Sequence, residues 1–329
     1  VECISAHVGG TQSVQWLTEG RILSAGADGL VKIWQAQRSG VVELEEYPAS
    51  LRTLAFSPDS RWLVAAGIAS EVWIWDAARG HLTGTYTNHV GQTSAVAFIR
   101  DGLVASASQD QTVRLWNPES LETKWTDSLA PAAQAWWIAF SPNGRFLYAL
   151  SHRDTLTVLN AATGERLNSI GGLENTLDGL AISPDGNLLA LCQKVKLSVR
   201  RANDLTELWS AAALPERCVA FSPDGQWIAT GEKDRVVSLW EVASGGRVRR
   251  VLRGHTASVS GVSFHPDGSR LVSCSFDGKV KIWDWRAGAE LLTLPLPGGG
   301  VAWHVVVSPD GKMIAAAGGD GVVTLWKID

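Results

Sequence analysis

Short β-branched stretches alternate with turn residues along the whole chain, most clearly in Gly254–Asp284, GHTASVSGVSFHPDGSRLVSCSFDGKVKIWD. Apolar and polar positions half-alternate in SVSGVSF and again in RLVSC, the period-2 pattern of strands. HPDG between them predicts a turn, its Pro fixing φ at the second position and its Gly supplying φ > 0 at the end. Asp277-Gly278 predicts a second tight turn into KVKIW. The unit is therefore three antiparallel strands joined by two hairpins.

The same unit recurs. Its tail position falls at Trp34, Trp75, Trp116, Leu159, Arg200, Trp240, Trp283 and Trp326, at spacings of 40 to 43 residues. Its first turn recurs as SPDS at 57–60, SPNG at 141–144 and SPDG at 183–186, 222–225 and 308–311. Only Glu19-Gly20 and Asp101-Gly102 depart from it. A fourth strand is predicted after each tail but the last: 41–45, 82–86, 122–126, 166–170, 206–210, 248–252 and 290–294. Only Lys327, Ile328 and Asp329 follow the last tail, whereas Val1-Glu2-Cys3-Ile4 match the phase of RVRRVL before the seventh copy. A repeat of about 41 residues, opened by Gly-His and closed by Trp-Asp, resembles the WD40 repeat. The resemblance covers all 329 residues, and the irregular copies look more like bacterial members of the family. It implies an all-β fold, an eight-bladed WD40-type β-propeller forming a single domain over residues 1–329. Residues 1–5 are expected to supply the outer strand of the eighth blade and so close the ring. Helical content should be near zero; Ala211–Leu214 is too short for a helix and reads as an interblade connection.

One constellation invites a catalytic reading. His255, Ser273, Asp277 and Trp283 are matched by His7, Ser24, Asp28 and Trp34 and by His89, Ser106, Asp110 and Trp116. Ser lies ten and Asp six residues before Trp each time. Each set looks like a hydrolase triad, but three identical triads in one domain, without a G-x-S-x-G elbow, argue against that. The resemblance implies a buried hydrogen-bond relay from Asp through His and Ser to Trp. The sixth copy keeps Thr230, Asp234 and Trp240 without a His. The eighth has Ala316 at the Ser position, the second has Ala65 and Ala69, and the fourth and fifth lose the Trp. Those blades are expected to rely on apolar packing.

The resemblance also implies a top face beside the central channel, reached by the residue two before each first-strand anchor. These residues are Gln12, Arg52, Ser94, Trp136, Asp178, Arg217, Ser260 and Trp303. Gln109, Lys233 and Phe276, each before a relay Asp, join them, with Arg153 as a looser match. Exposed aromatics and Arg are favoured anchors of protein contacts. Four basic residues (Arg52, Arg153, Arg217, Lys233) face only Asp178, which suits an acidic or phosphorylated peptide, or a neighbouring domain. Against this stands packing of Trp136 and Trp303 on Trp137 and His304 as interblade filler.

Composition narrows the remaining classes. A net charge of −4 is too small for bulk attraction to nucleic acid or membrane, and no apolar run approaches a membrane span. Cys3, Cys192, Cys218 and Cys274 form no CxxC pair and are expected to be buried thiols. No two of the seven His stand at ligand spacing, and no phosphate-binding loop is present. The expected protein is a non-enzymatic interaction, scaffold or sensor module with neither metal nor cofactor. It is expected to be cytoplasmic and to belong to a larger signalling or defence protein. The competing reading is a propeller enzyme or small-molecule sensor with its site at the central channel. It needs converging carboxylates or His, and the ring offers only Asp178.

Overall fold

The computed structural model describes residues 2–5, 11–16, 21–28, 30–35, 41–43, 51–59, 61–67, 69–76, 82–99, 101–128, 135–151, 155–173, 177–296, 299–308, 311–318 and 322–327, with side chains for most of them. After β1 (Glu2–Ser5), the first repeat carries β2 (Thr11–Trp16), β3 (Arg21–Gly26), β4 (Val31–Gln35) and β5 (Val41–Glu43). The second carries β6 (Leu51–Phe56), β7 (Trp62–Gly67), β8 (Val72–Asp76) and β9 (Leu82–Tyr86). The third has β10 (Thr93–Phe98), β11 (Val104–Ser108), β12 (Thr112–Trp116) and β13 (Thr123–Ser128). The fourth has β14 (Ala135–Phe140), β15 (Phe146–Ser151), β16 (Thr155–Asn160) and β17 (Arg166–Ile170). The fifth has β18 (Leu177–Ile182), β19 (Leu188–Gln193), β20 (Lys196–Arg201) and β21 (Glu207–Ala212). The sixth has β22 (Pro215–Phe221), β23 (Trp227–Glu232), β24 (Val236–Glu241) and β25 (Val248–Arg253). The seventh has β26 (Val259–Phe264), β27 (Leu271–Ser275), β28 (Lys279–Asp284) and β29 (Ala289–Pro295), and the eighth β30 (Ala302–Val307), β31 (Met313–Gly318) and β32 (Val322–Lys327).

Each repeat forms a four-stranded sheet in sequence order, and in the eighth β1 takes the fourth place beside β32. Ile4 stands opposite Val323 and Glu2 opposite Leu325, antiparallel. The only helix among the described residues is a single 3-10 turn, Val242–Ser244. Ala211 and Ala212, expected in a connection, instead end β21, and several fourth strands run one or two residues beyond their predicted ends.

The recurring turn shows why the sheets look alike. Ser57, Ser141, Ser183 and Ser222 each donate to the Asp or Asn two residues on, at 2.5–2.7 Å. Each Ser oxygen also accepts the amide of the next strand's first residue, at 2.8–3.0 Å. The closing glycines sit at φ near +70°, as Gly144, Gly186, Gly225 and Gly268 do, where a Cβ would be strained.

Two compact units are distinguished, Val1–Trp16 with Glu174–Asp329, and Leu17–Leu173. In the first, β18, β22, β26, β30 and β2 neighbour one another in turn; in the second, β3, β6, β10 and β14 do. Sheets therefore pack on both faces of their inner strands, and β11 and β27 are buried along their whole length. Fourth strands such as β13 and β21 alternate half-buried and exposed, as edges with one wet face do. Tyr86 lies flat on Trp116, centroids 4.2 Å apart, joining the second sheet to the third.

Candidate functional site

The His/Ser/Asp sets are closed networks. In the third repeat His89 Nδ1 lies 2.8 Å from Asp110 Oδ2 and Nε2 lies 2.8 Å from Ser106 Oγ. Trp116 Nε1 donates to Ser106 Oγ at 3.0 Å. The seventh repeats this with His255 to Asp277 (3.0 Å), His255 to Ser273 (2.8 Å) and Trp283 to Ser273 (2.8 Å). One proton assignment satisfies every group: indole to Ser oxygen, Ser hydroxyl to Nε2, Nδ1–H to Asp. Asp277 further accepts the amides of Thr256 and Lys279, clamping the preceding loop to the tight turn.

Burial decides what these networks can do. Ser106 and Ser273 are 0% exposed, so neither oxygen can meet a substrate. Burial pushes His89 and His255 below the usual imidazole value, against the pull of their Asp partners. Burial alone would raise Asp110, but hydrogen bonds from Thr112 and His89 bring it down to about 2. In the first repeat Ser24 is buried and Asp28 accepts the Leu30 amide, while the side chains of His7 and Trp34 lie outside the described residues.

Two of the incomplete repeats, the sixth and the fifth, do not rely on packing alone, contrary to the expectation from sequence. In the sixth, Trp240 donates to Thr230 Oγ1 at 2.9 Å, and Thr230 donates to Glu232 Oε1 at 2.5 Å. Glu232 Oε2 then accepts the Leu214 amide at 2.6 Å, so a carboxylate ties turn to loop where imidazole does so elsewhere. Burial pushes the Glu232 carboxyl up. In the fifth, Arg200 at the Trp position bonds the Leu205 carbonyl and pairs with Glu207 at 2.5 Å. In the second, Ala65 offers no acceptor, and Trp75 Nε1 has no partner among the described residues.

The residues expected on the top face share a backbone feature. Pairing of first with second strand skips a residue at Arg52, Ser94, Trp136, Asp178, Ser260 and Trp303. The sixth repeat skips Glu216 and Arg217. Each is thus a β-bulge, a device that re-aims a side chain at the end of an edge strand. The side chains of Arg52, Trp136, Asp178 and Arg217, and all of Arg153, lie outside the described residues.

Three of the expected residues are brought into one run along the sixth, seventh and eighth repeats. The exposed Lys233 accepts Ser258 Oγ at its carbonyl, at 3.2 Å. Ser258 accepts the Phe276 amide at 3.0 Å. The Phe276 ring meets Trp303 edge to face at 4.9 Å. Trp303 remains 46% exposed, so pairing with Phe276 does not bury it as filler. Ser260 is half-buried and donates to the Ala302 carbonyl at 2.5 Å, a tie between sheets.

No group of three His, Cys, Asp or Glu among the described residues is placed to hold a metal ion. Cys192, Cys218 and Cys274 carry no disulfide, and burial pushes the Cys274 thiol up to about 12. No described helix is long and apolar enough to cross a membrane.

Against known proteins, the profile of the family described as "WD domain, G-beta repeat" matches residues 1–35, 41–76, 80–117, 217–241, 246–284 and 289–327. "Autophagy-related protein 16" of Arabidopsis thaliana is 23% identical over 277 residues, covering 78% of this chain and 52% of that protein. "WD repeat-containing protein WDS homolog", also of Arabidopsis thaliana, is 25% identical over 292 residues, 80% and 53% of the two chains. "Serine-threonine kinase receptor-associated protein" of Gallus gallus is 24% identical over 226 residues, 68% and 63%. The chain spans about half the length of the first two relatives. The profile passes over residues 118–216, which include the two repeats whose tail is not Trp.

Proposed function

Because the chain belongs to the WD domain, G-beta repeat family, we propose that its eight sheets are the blades of one propeller, closed by β1, that acts as a non-enzymatic protein-interaction scaffold. The recognition surface is the face onto which the first-strand bulges turn their residues, centred on Lys233, Phe276 and Trp303. The observation that carries this reading is the Phe276–Trp303 pair, a half-buried ring in contact with an indole that stays open to solvent. Such a pair gives a rigid apolar anchor beside a cation, the combination that dominates protein interfaces. The partner is a protein, a peptide or a neighbouring domain. Arg52, Arg153 and Arg217 would extend the cationic side of the same face toward an acidic or phosphorylated segment.

The catalytic alternative draws no support from the His/Ser/Asp sets, whose Ser oxygens are sealed from solvent. A photo-crosslinking residue at position 303 tests the proposal. It should capture a discrete partner that a probe at exposed Arg145, in a turn of the fourth repeat, does not. Equal labelling from both positions would overturn it.

A further inference from the structure

A second surface lies at the opposite end of the seventh repeat from Phe276. Phe276 adjoins the turn into β28, whereas Trp285 and Arg286 follow the far end of that strand. Here a cleft of about 280 Å³ is lined by Trp227, Leu239, Arg249, Arg250, Trp285 and Arg286. Arg247, Arg249, Arg250 and Arg253 put four guanidinium groups within seven residues of a chain whose net charge is negative. All four are exposed, and β25 is the edge strand of its sheet.

The other repeats show what this position does without charge. Trp125 of β13 donates across to the Ala161 carbonyl at 3.1 Å, and Trp209 of β21 to the Val242 carbonyl at 2.8 Å. Arg250 makes the same reach, Nη1 to the Ala287 carbonyl at 2.9 Å. Its guanidinium crosses Gly288, as the Trp125 and Trp209 rings cross Gly164 and Gly246. The tether is kept, but a neutral ring is exchanged for a cation with donors left over. Arg286 is held by the Gly268 carbonyl and lies 4.1 Å over the Trp285 ring, which is buried. Two guanidinium groups are therefore fixed at the mouth of one cleft before any ligand arrives.

Charge counting selects the ligand. Glu241 takes Arg249 through two bonds of 2.8 Å and cancels it. Asp224 stands 3.9 Å from Arg286 and offsets part of its charge, while accepting shorter bonds from Ser222 Oγ and the Gln226 amide within its own turn. Arg250, which bonds a neutral carbonyl, and Arg286, only partly offset, leave a cationic mouth that matches a group carrying between one and two negative charges and several acceptor oxygens. The open edge of β25 beside them offers backbone pairing to an extended chain. We propose that this cleft binds a phosphorylated segment of a partner protein, independently of the bulge face.

The test is a degenerate phosphoserine peptide library passed over the immobilised chain, against its dephosphorylated counterpart. The phosphorylated pool should be retained, and more weakly below pH 6, where the phosphate takes up its second proton. In the enriched peptides, Arg250→Gln with Arg286→Gln should weaken binding at least about ten-fold, and Glu241→Gln, which frees Arg249, should strengthen it several-fold. The Glu241→Gln arm decides the matter if the double variant does not fold. Equal retention of both pools would overturn the proposal, as would wild-type affinity in both variants or equal affinity for inorganic phosphate.

Discussion

The sixth and seventh repeats lie side by side and satisfy the same buried indole in opposite ways. In the seventh, Trp283 ends a chain of Ser273, His255 and Asp277. In the sixth, Trp240 ends a chain of Thr230 and Glu232 that stops at a backbone amide. One network contains a base kept neutral by burial and the other an acid whose ionisation burial opposes. Where the architecture supplies a partner for the indole and a clasp on the preceding loop, it can do so with either network. It does not require histidine.

The largest expected effect comes from removing the common element. Trp283→Ala empties a fully buried site and should cost about 3–5 kcal/mol in chemical denaturation. Trp240→Ala should cost a similar amount; a loss below about 1 kcal/mol at either would show that the network is not structural. Next comes acid. Folded His255 binds its proton below pH 6.5, so as pH falls through 6.5 the unfolded chain takes up protons first and stability is lost. His255→Gln with His89→Gln should cost about 1–3 kcal/mol each at pH 8 and flatten that slope. An unchanged slope would contradict the assignment.

Glu232 has the opposite sign. Its folded value lies above 4.5, so its contribution is complete below pH 4.5 and is lost as pH rises through the folded value. Glu232→Gln keeps an acceptor without the charge and should hold or raise the melting temperature at pH 7, removing the pH dependence in that window. A large loss at pH 7 would mean the carboxylate is needed ionised. The smallest effect belongs to the second repeat, where Ala65→Ser places a hydroxyl opposite the unpartnered Trp75 indole. A gain of about 0.5–1.5 kcal/mol is expected, and destabilisation would show that the cavity cannot take the oxygen.

Much of this could be read in advance because it repeats. Tail positions about 41 residues apart and the recurring Ser-Pro-Asp-Gly turn fix strand order through local chemistry, in which each turn is wired by its own Ser and Asp. The bulges also fall at a fixed first-strand position, since a bulge follows the phase of the apolar anchors. The substitutes were harder to see. Glu232 follows Thr230 at a spacing with no counterpart in the other repeats, and Arg200 in place of Trp reads as a loss until Glu207 is found opposite. The arginine cleft joins residues of two repeats, a pairing that periodicity within one repeat does not carry.

On the function proposed above, the relays hold the sheets and the bulge face meets the partner. Phe276→Ala with Trp303→Ala separates those roles by reading melting temperature and partner binding on the same preparation. Removing a partly exposed edge-to-face pair costs about 0.5–1.5 kcal/mol, a shift of only a few degrees in a chain this long, roughly 2–4 °C per kcal/mol. The account predicts a shift of that size with partner capture abolished. A marked fall in melting temperature with capture intact would contradict it.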